Sequence, residues 1–246
     1  MDRQRPFLVL TLRRTGGTSL MAFMALVSDA RAVEHEPFNA ERVWGPITKA
    51  YRETGDEVAL NLSVANALAN RPNIKHCHEI IPWAVTRALI RACVAQGYVI
   101  YTLTRRDERA RLRSLFVAMA TGAWGAKQAA RLYPQIMAGT LRPAPLRANA
   151  VPGRAAKDRT SRRQVDDFLA NEGIPVHAVT FEDLYARDGR VAERARDLVA
   201  LLGAEVAADD PRLGVFAHSE GQGTGAILPY LSNMEALEAA LARLDD

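Results

Sequence analysis

Residues Phe7-Leu8-Val9-Leu10-Thr11-Leu12 form an almost unbroken apolar run, and the chain then turns through Arg13-Arg14-Thr15-Gly16-Gly17. Leu20, Met21, Phe23, Met24 and Val27 follow at helical spacing. The first run is too short for a helix and is apolar on both faces, as a strand covered on both sides must be. Parallel strands need crossover connections, which place helices over the sheet. A strand, a glycine turn and a helix at the start of a chain therefore commit it to an α/β architecture. Thr18 or Ser19 is available to cap that first helix.

The rest of the chain repeats the alternation. Ala32 to Pro37 reads as a second short strand, ended by Pro37, which forces its predecessor out of helical geometry and leaves Glu36 at the strand end. Asn73 to His78 is a weak strand, and Pro82 opens an amphipathic helix that runs through Ile90 to Val94 and stops at Gly97. Tyr98 to Thr104 is a strong strand. Asp107 caps a helix with Leu112, Leu115, Phe116 and Met119 at i, i+3, i+4 and i+7. Ile174 to Phe181 is a further strand, and a helix from Arg190 to Leu202 ends at Gly203. The expected fold is a three-layer α/β domain, a parallel sheet with helices on both faces, spanning 1–246 without internal repeats.

With 48% apolar and 24% charged residues the chain is neither disordered nor collagen-like. Cys77 and Cys93 are too few for a disulfide framework, only a short apolar run precedes Arg13-Arg14, and no stretch reaches the roughly 20 apolar residues of a membrane span. The expectation is a cytoplasmic protein without a transmembrane segment. The formal charge is +4, and it is local: residues 139–163 carry seven cations against Asp158. That stretch, rich in Pro, Ala and Arg and without periodicity, reads as a basic loop, either functional or simply solvated. Arginine outnumbers lysine 28 to four, for which a GC-rich coding bias suffices, and no RNA or DNA motif accompanies it, so no nucleic acid is expected.

Chemistry concentrates at the first turn. In Arg13 to Ser19, two glycines let the backbone approach a ligand, and helix-start N–H groups with adjacent guanidinium groups suit phosphate or sulfate. The G-x-x-x-x-G-K-[ST] spacing and its lysine are absent, which disfavours ordinary ATP or GTP hydrolysis. Arg106 ends a strong strand and Ser114 lies two helical turns along, a pair suited to one phosphate. His76 and His78 would share a strand face, but no second ligand cluster at zinc-like spacing accompanies them, so no metal site is expected. Glu182 and Asp183 read as local caps. The segment His218 to Gly225 is glycine-rich, and the sequence does not decide whether it closes over a ligand.

Four blocks together carry a family resemblance: Leu10 to Leu20, Glu36-Pro37-Phe38-Asn39, Arg105-Arg106-Asp107 with Ser114, and Thr180-Phe181-Glu182-Asp183-Leu184. In order and spacing the chain resembles the sulfotransferases, in particular the bacterial carbohydrate and glycolipid branch that includes the trehalose-type enzymes. The resemblance implies a P-loop-like sheet and metal-free transfer of a sulfuryl group from 3'-phosphoadenosine 5'-phosphosulfate (PAPS) to a carbohydrate or glycolipid hydroxyl, leaving adenosine 3',5'-bisphosphate. It implies that Arg14, Thr15, Gly16, Gly17, Thr18 and Ser19 hold the 5'-phosphosulfate and that Arg106 and Ser114 hold the 3'-phosphate. Thr15 and Gly17 stand where the family commonly has serine, and Glu108 where it often has proline.

Sulfuryl transfer needs a base for the acceptor proton and cations for the charge on the leaving phosphate oxygen. Arg14 is the cation. Glu36 and His35 are the base candidates, Glu36 matching the glutamate that follows the second strand in the related glycan enzymes. Two other readings stand beside this one: a kinase on a similar P-loop fold, and a non-catalytic nucleotide-binding module.

Overall fold

The computed structural model describes residues 5–28, 32–185, 190–216 and 224–245. Its strands are β1 (Phe7–Thr11), β2 (Val33–His35), β3 (Asn73–Cys77), β4 (Val99–Thr104) and β5 (His177–Thr180), all parallel and ordered β2-β3-β1-β4-β5. The helices are α1 (Gly17–Val27), α2 (Gly45–Thr54), α3 (Glu57–Ala67), α4 (Trp83–Ala95), α5 (Glu108–Thr121), α6 (Ala126–Met137), α7 (Val151–Asn171), α8 (Phe181–Leu184), α9 (Val191–Ala200), α10 (Thr224–Ile227) and α11 (Met234–Ala242). The fold is a three-layer α/β structure with helices on both faces of a parallel sheet. The chain divides into two compact units, one made of 1–104 with 160–217 and the other of 105–159 with 218–246.

The first unit holds the sheet, and strand alternation sorts its side chains into two cores. Phe7 and Val9 of β1, with Val99, Tyr101 and Leu103 of β4, face Leu20, Met21, Phe23 and Met24 of α1 and Val199 of α9. Leu8, Leu10 and Ile74 point the other way, against Leu60 and Val64 of α3, Val85 and Leu89 of α4, and Val165 and Leu169 of α7. Each such side chain, removed from water, contributes roughly 1.5–3 kcal/mol before the entropy of ordering it. A strand buried on both sides therefore has to be apolar throughout, and this is why Phe7 to Leu10 is legible as β1.

The second unit packs α5, α6 and α11 around Leu112, Leu115, Phe116, Tyr133, Ile136, Ile227, Leu237 and Leu241. Asp107 caps α5 as expected, accepting from the Ala110 N–H at 2.8 Å. Arg113 on α5 pairs with Glu238 on α11 at 2.5 Å. Met119, expected on the buried stripe, is instead 46% exposed, and Val117 and Ala118 are buried in its place.

Other expectations change with the structure. The stretch expected as a basic loop over 139–163 is helical from Val151 onward, because Ala, Arg and Lys are good helix formers and Val151, Ala155 and Asp158 form its buried stripe. A buried aspartate among arginines conceals that periodicity from a hydrophobic pattern. Thr18 and Ser19 do not cap α1. Gly16 takes the cap position at φ +80°, so the helix starts earlier and both hydroxyl residues fall inside its first turn. Phe181 belongs to α8, not to the strand before it. Of the segment 218–225, residues 218–223 lie outside the described ones. No helix among the described residues is long and apolar enough to cross a membrane.

Candidate functional site

Helix α1 leaves β1 over one face of the sheet, whereas α4, which follows the neighbouring β3, lies on the other. Connections that diverge to opposite faces open a crevice at the C-terminal strand ends, the general ligand position in open α/β sheets. The Arg13–Ser19 turn, Glu36 and Glu79 follow the C-terminal ends of β1, β2 and β3, and Lys75, in the middle of β3, reaches Glu36 and the turn with its side chain.

The turn is held from three sides. The N–H and Nε of Arg13 both donate to Oε1 of Glu79 at 3.0 Å, and the Glu79 side chain is wholly buried. Thr15 Oγ1 donates to the Leu12 carbonyl at 2.8 Å and lies 2.5 Å from Thr11 Oγ1, so its hydroxyl is used inside the turn and its backbone is what it offers a ligand. The Tyr185 hydroxyl donates to the Gly16 carbonyl at 3.2 Å. Arg14 adopts φ +69°, a left-handed conformation that non-glycine residues seldom take and that tends to occur at functional sites. The first N–H groups of α1 have no intrahelical acceptor, which makes this helix start suited to an anion.

Gly16 is required twice over. Its φ is +80°, and a Cβ there would lie 2.6 Å from Phe181 Cδ2, whose ring stacks on Tyr185 at 4.4 Å between centroids. Gly139 has a similar φ of +73° with nothing within 4 Å, so it isolates the conformational part. Gly16→Ala is expected to lower stability by about 2–3 kcal/mol and Gly139→Ala by about 1. Urea unfolding of the two variants side by side checks this, and equal losses would mean that Phe181 does not constrain the turn.

Glu36 follows β2 directly, with φ +53° and its N–H donating to the Lys75 carbonyl at 2.7 Å. Its Oε1 is 2.7 Å from Lys75 Nζ, and Oε2 accepts from Asn39 Nδ2 at 3.0 Å. Burial acts to raise its pKa, but the Lys75 charge and hydrogen bonds from Lys75, Asn39 and Cys77 outweigh burial and hold the carboxyl at about 2. His35 pairs with Lys75 in the sheet register. Burial, and then Lys75, push the His35 imidazole below its ordinary value, against the pull of Glu36.

Lys75 is the member of the site that the sequence reading missed. It lies between Val9 and His35 in register, is 7% exposed, and its Cδ would be 3.2 Å from a Cβ at Gly17. A single lysine inside an otherwise buried strand was the available signal, because a buried ammonium demands a partner. The structure thus gathers Glu36, His35 and Gly17 around Lys75.

The two histidines beside it are engaged separately. His76 Nε2 is 2.9 Å from Thr86 Oγ1, and its pKa falls to about 3 through burial and then His78. His78 Nδ1 is 2.7 Å from Ser161 Oγ. Among the described residues no group of three or more His, Cys, Asp or Glu is placed to hold a metal ion. In the second unit, Arg106 stands exposed before the Asp107 cap, its carbonyl accepting from the Glu108 N–H at 2.9 Å, and half-buried Ser114 lies in the middle of α5.

No protein family model and no curated protein matches the chain. Among solved structures it is similar to the sulfotransferase from Alicyclobacillus acidocaldarius, with 16% identity and a TM-score of 0.39 over 97% of this chain and 96% of that one.

Proposed function

We propose that the protein is a PAPS-dependent sulfotransferase that moves a sulfuryl group to a hydroxyl of a carbohydrate or glycolipid by metal-free in-line transfer. The observation that carries the reading is the meeting of a glycine turn leading into a helix start with the pair formed by half-buried Glu36 and buried Lys75. An anion site beside a carboxylate is what this chemistry needs. The resemblance in sequence adds the rest: Arg14 to Ser19 take the phosphosulfate, Arg106 and Ser114 the 3'-phosphate, within one sulfotransferase-like domain over 1–246. As the acceptor oxygen bonds to sulfur, the bond from sulfur to the 5'-phosphate oxygen breaks. Glu36 takes the acceptor proton, Arg14 and the turn offset the charge on the leaving phosphate, and adenosine 3',5'-bisphosphate departs. The two unpaired, buried cysteines fit a reducing cytoplasm.

Calorimetry with adenosine 3',5'-bisphosphate, compared with ATP and magnesium, tests this directly. The bisphosphate is expected to bind more tightly. Arg106→Ala should weaken it by about tenfold to more than a hundredfold, the loss of one charge-assisted contact, and Ser114→Ala by less. Turnover should persist in excess EDTA. Preference for ATP, or activity restored only by magnesium, would replace this reading with the kinase.

A further inference from the structure

We propose that Lys75 couples donor binding to the base: an anion entering the turn draws the Lys75 ammonium away from Glu36, so that Glu36 is released to accept a proton only once the donor is in place. The inference rests on the sulfotransferase reading of the same site. Its basis is geometric. The Lys75 side chain passes beneath the turn, with Cδ against Gly17, and ends two bonds later at a nitrogen 2.7 Å from Glu36 Oε1. One ammonium on a flexible stem is therefore within reach of both the carboxylate and the place where the turn would hold an anion.

A carboxylate gripped by Lys75 and Asn39 is ionised but a poor proton acceptor, and a base is most effective when its pKa approaches the working pH. A phosphosulfate brings more negative charge than Glu36 and, in a half-buried setting, competes strongly for the ammonium. The other groups facing Glu36 and Lys75 do not supply that mobile charge. Cys77 is a buried thiol whose pKa is raised, fully buried His76 and half-buried His35 both have lowered pKa values, Arg42 is exposed, and Glu79 is occupied by Arg13. By linkage the coupling is reciprocal, so a proton on Glu36 also favours anion binding. The arrangement keeps the base masked in the donor-free enzyme and predicts that the donor binds before the acceptor is activated.

The test follows the Glu36 carboxyl by ¹³C NMR in the full chain, assigned with Glu36→Gln, with and without saturating adenosine 3',5'-bisphosphate, whose binding is measured in parallel by calorimetry. In the wild type the midpoint is expected to rise by about one pH unit or more on binding, a tenfold change in proton affinity. In Lys75→Met it should be raised already in the free protein and move no further, while Lys75→Arg should restore a low starting point. Saturation that leaves the wild-type midpoint in place overturns the coupling and leaves the sulfotransferase reading intact. An equal rise in Lys75→Met also overturns it, and absence of bisphosphate binding overturns both. If Lys75→Met does not fold, Lys75→Gln takes its place with the same expected outcomes, and an unmoved wild-type midpoint still overturns the coupling.

Discussion

Glu36→Gln is expected to lower kcat by about 10² to 10⁴ while adenosine 3',5'-bisphosphate binds within a few-fold of wild type. The substitution keeps the size of the side chain and an acceptor oxygen for Lys75, its amide nitrogen can bond Asn39 only through the Asn39 Oδ1 after that amide turns over, and the basic carboxylate is gone. His35→Asn should cost much less, because His35 is set back in the sheet register beside Lys75, and no hydrogen bond ties it to the turn among the described contacts. The same carboxylate carries a stability signature. Its folded pKa of about 2 lies below the ordinary 4.5, so the Glu36–Lys75 pair stabilises the fold above that ordinary value, and the contribution is lost as pH falls toward 2. Wild type should therefore lose more stability between neutral pH and pH 3 than Glu36→Gln does. Steady-state rates with PAPS and a sugar acceptor, together with urea melts across that pH range, measure both effects. An active Glu36→Gln beside a dead His35→Asn would exchange the two roles, and normal turnover in both variants would remove the base from this segment.

How far the sequence reaches depends on what each residue has to satisfy. β1 and β4 were legible because strands covered on both faces admit almost no polar residue, and Asp107 was legible as a cap because its carboxylate answers an orphan N–H of α5. The turn after β1 was legible from its two adjacent glycines between an apolar strand and a helical pattern. α2, α3 and α6 were not anticipated; for α3 the reason is that apolar residues lie on both faces, with Leu60 and Val64 buried and Val58 and Leu62 exposed, so it shows no amphipathic stripe. At the site, Glu36 was readable from the block that follows the second strand. Its partner was not, because the pairing of Glu36 with Lys75 depends on β2 and β3 lying side by side, and sheet order is not written in local pattern. The inward turn of the Thr15 hydroxyl is likewise a property of the folded loop, set by the Leu12 carbonyl and Thr11.

Asp158→Ala is expected to destabilise the protein by about 3–5 kcal/mol. Asp158 is fully buried in α7, with Oδ2 2.7 Å from Arg111 of α5 and Oδ1 2.8 Å from Arg154 one turn earlier on its own helix. Removing the carboxylate leaves the Arg111 guanidinium, itself 2% exposed, out of water and beside a second cation. Such a group cannot shed its proton at ordinary pH, so the cost has no chemical escape and must appear as unfolding. Arg154 reaches further toward solvent, with 16% of its side chain exposed, and Arg154→Met should cost only about 1 kcal/mol. Arg111→Met combined with Asp158→Ala should cost less than the two single losses added together, because both substitutions remove the same ion pair. Urea unfolding of the four variants supplies the numbers. A loss below about 1 kcal/mol for Asp158→Ala would mean that water reaches Arg111 in solution and that the buried stripe of α7 is held by Val151 and Ala155 alone.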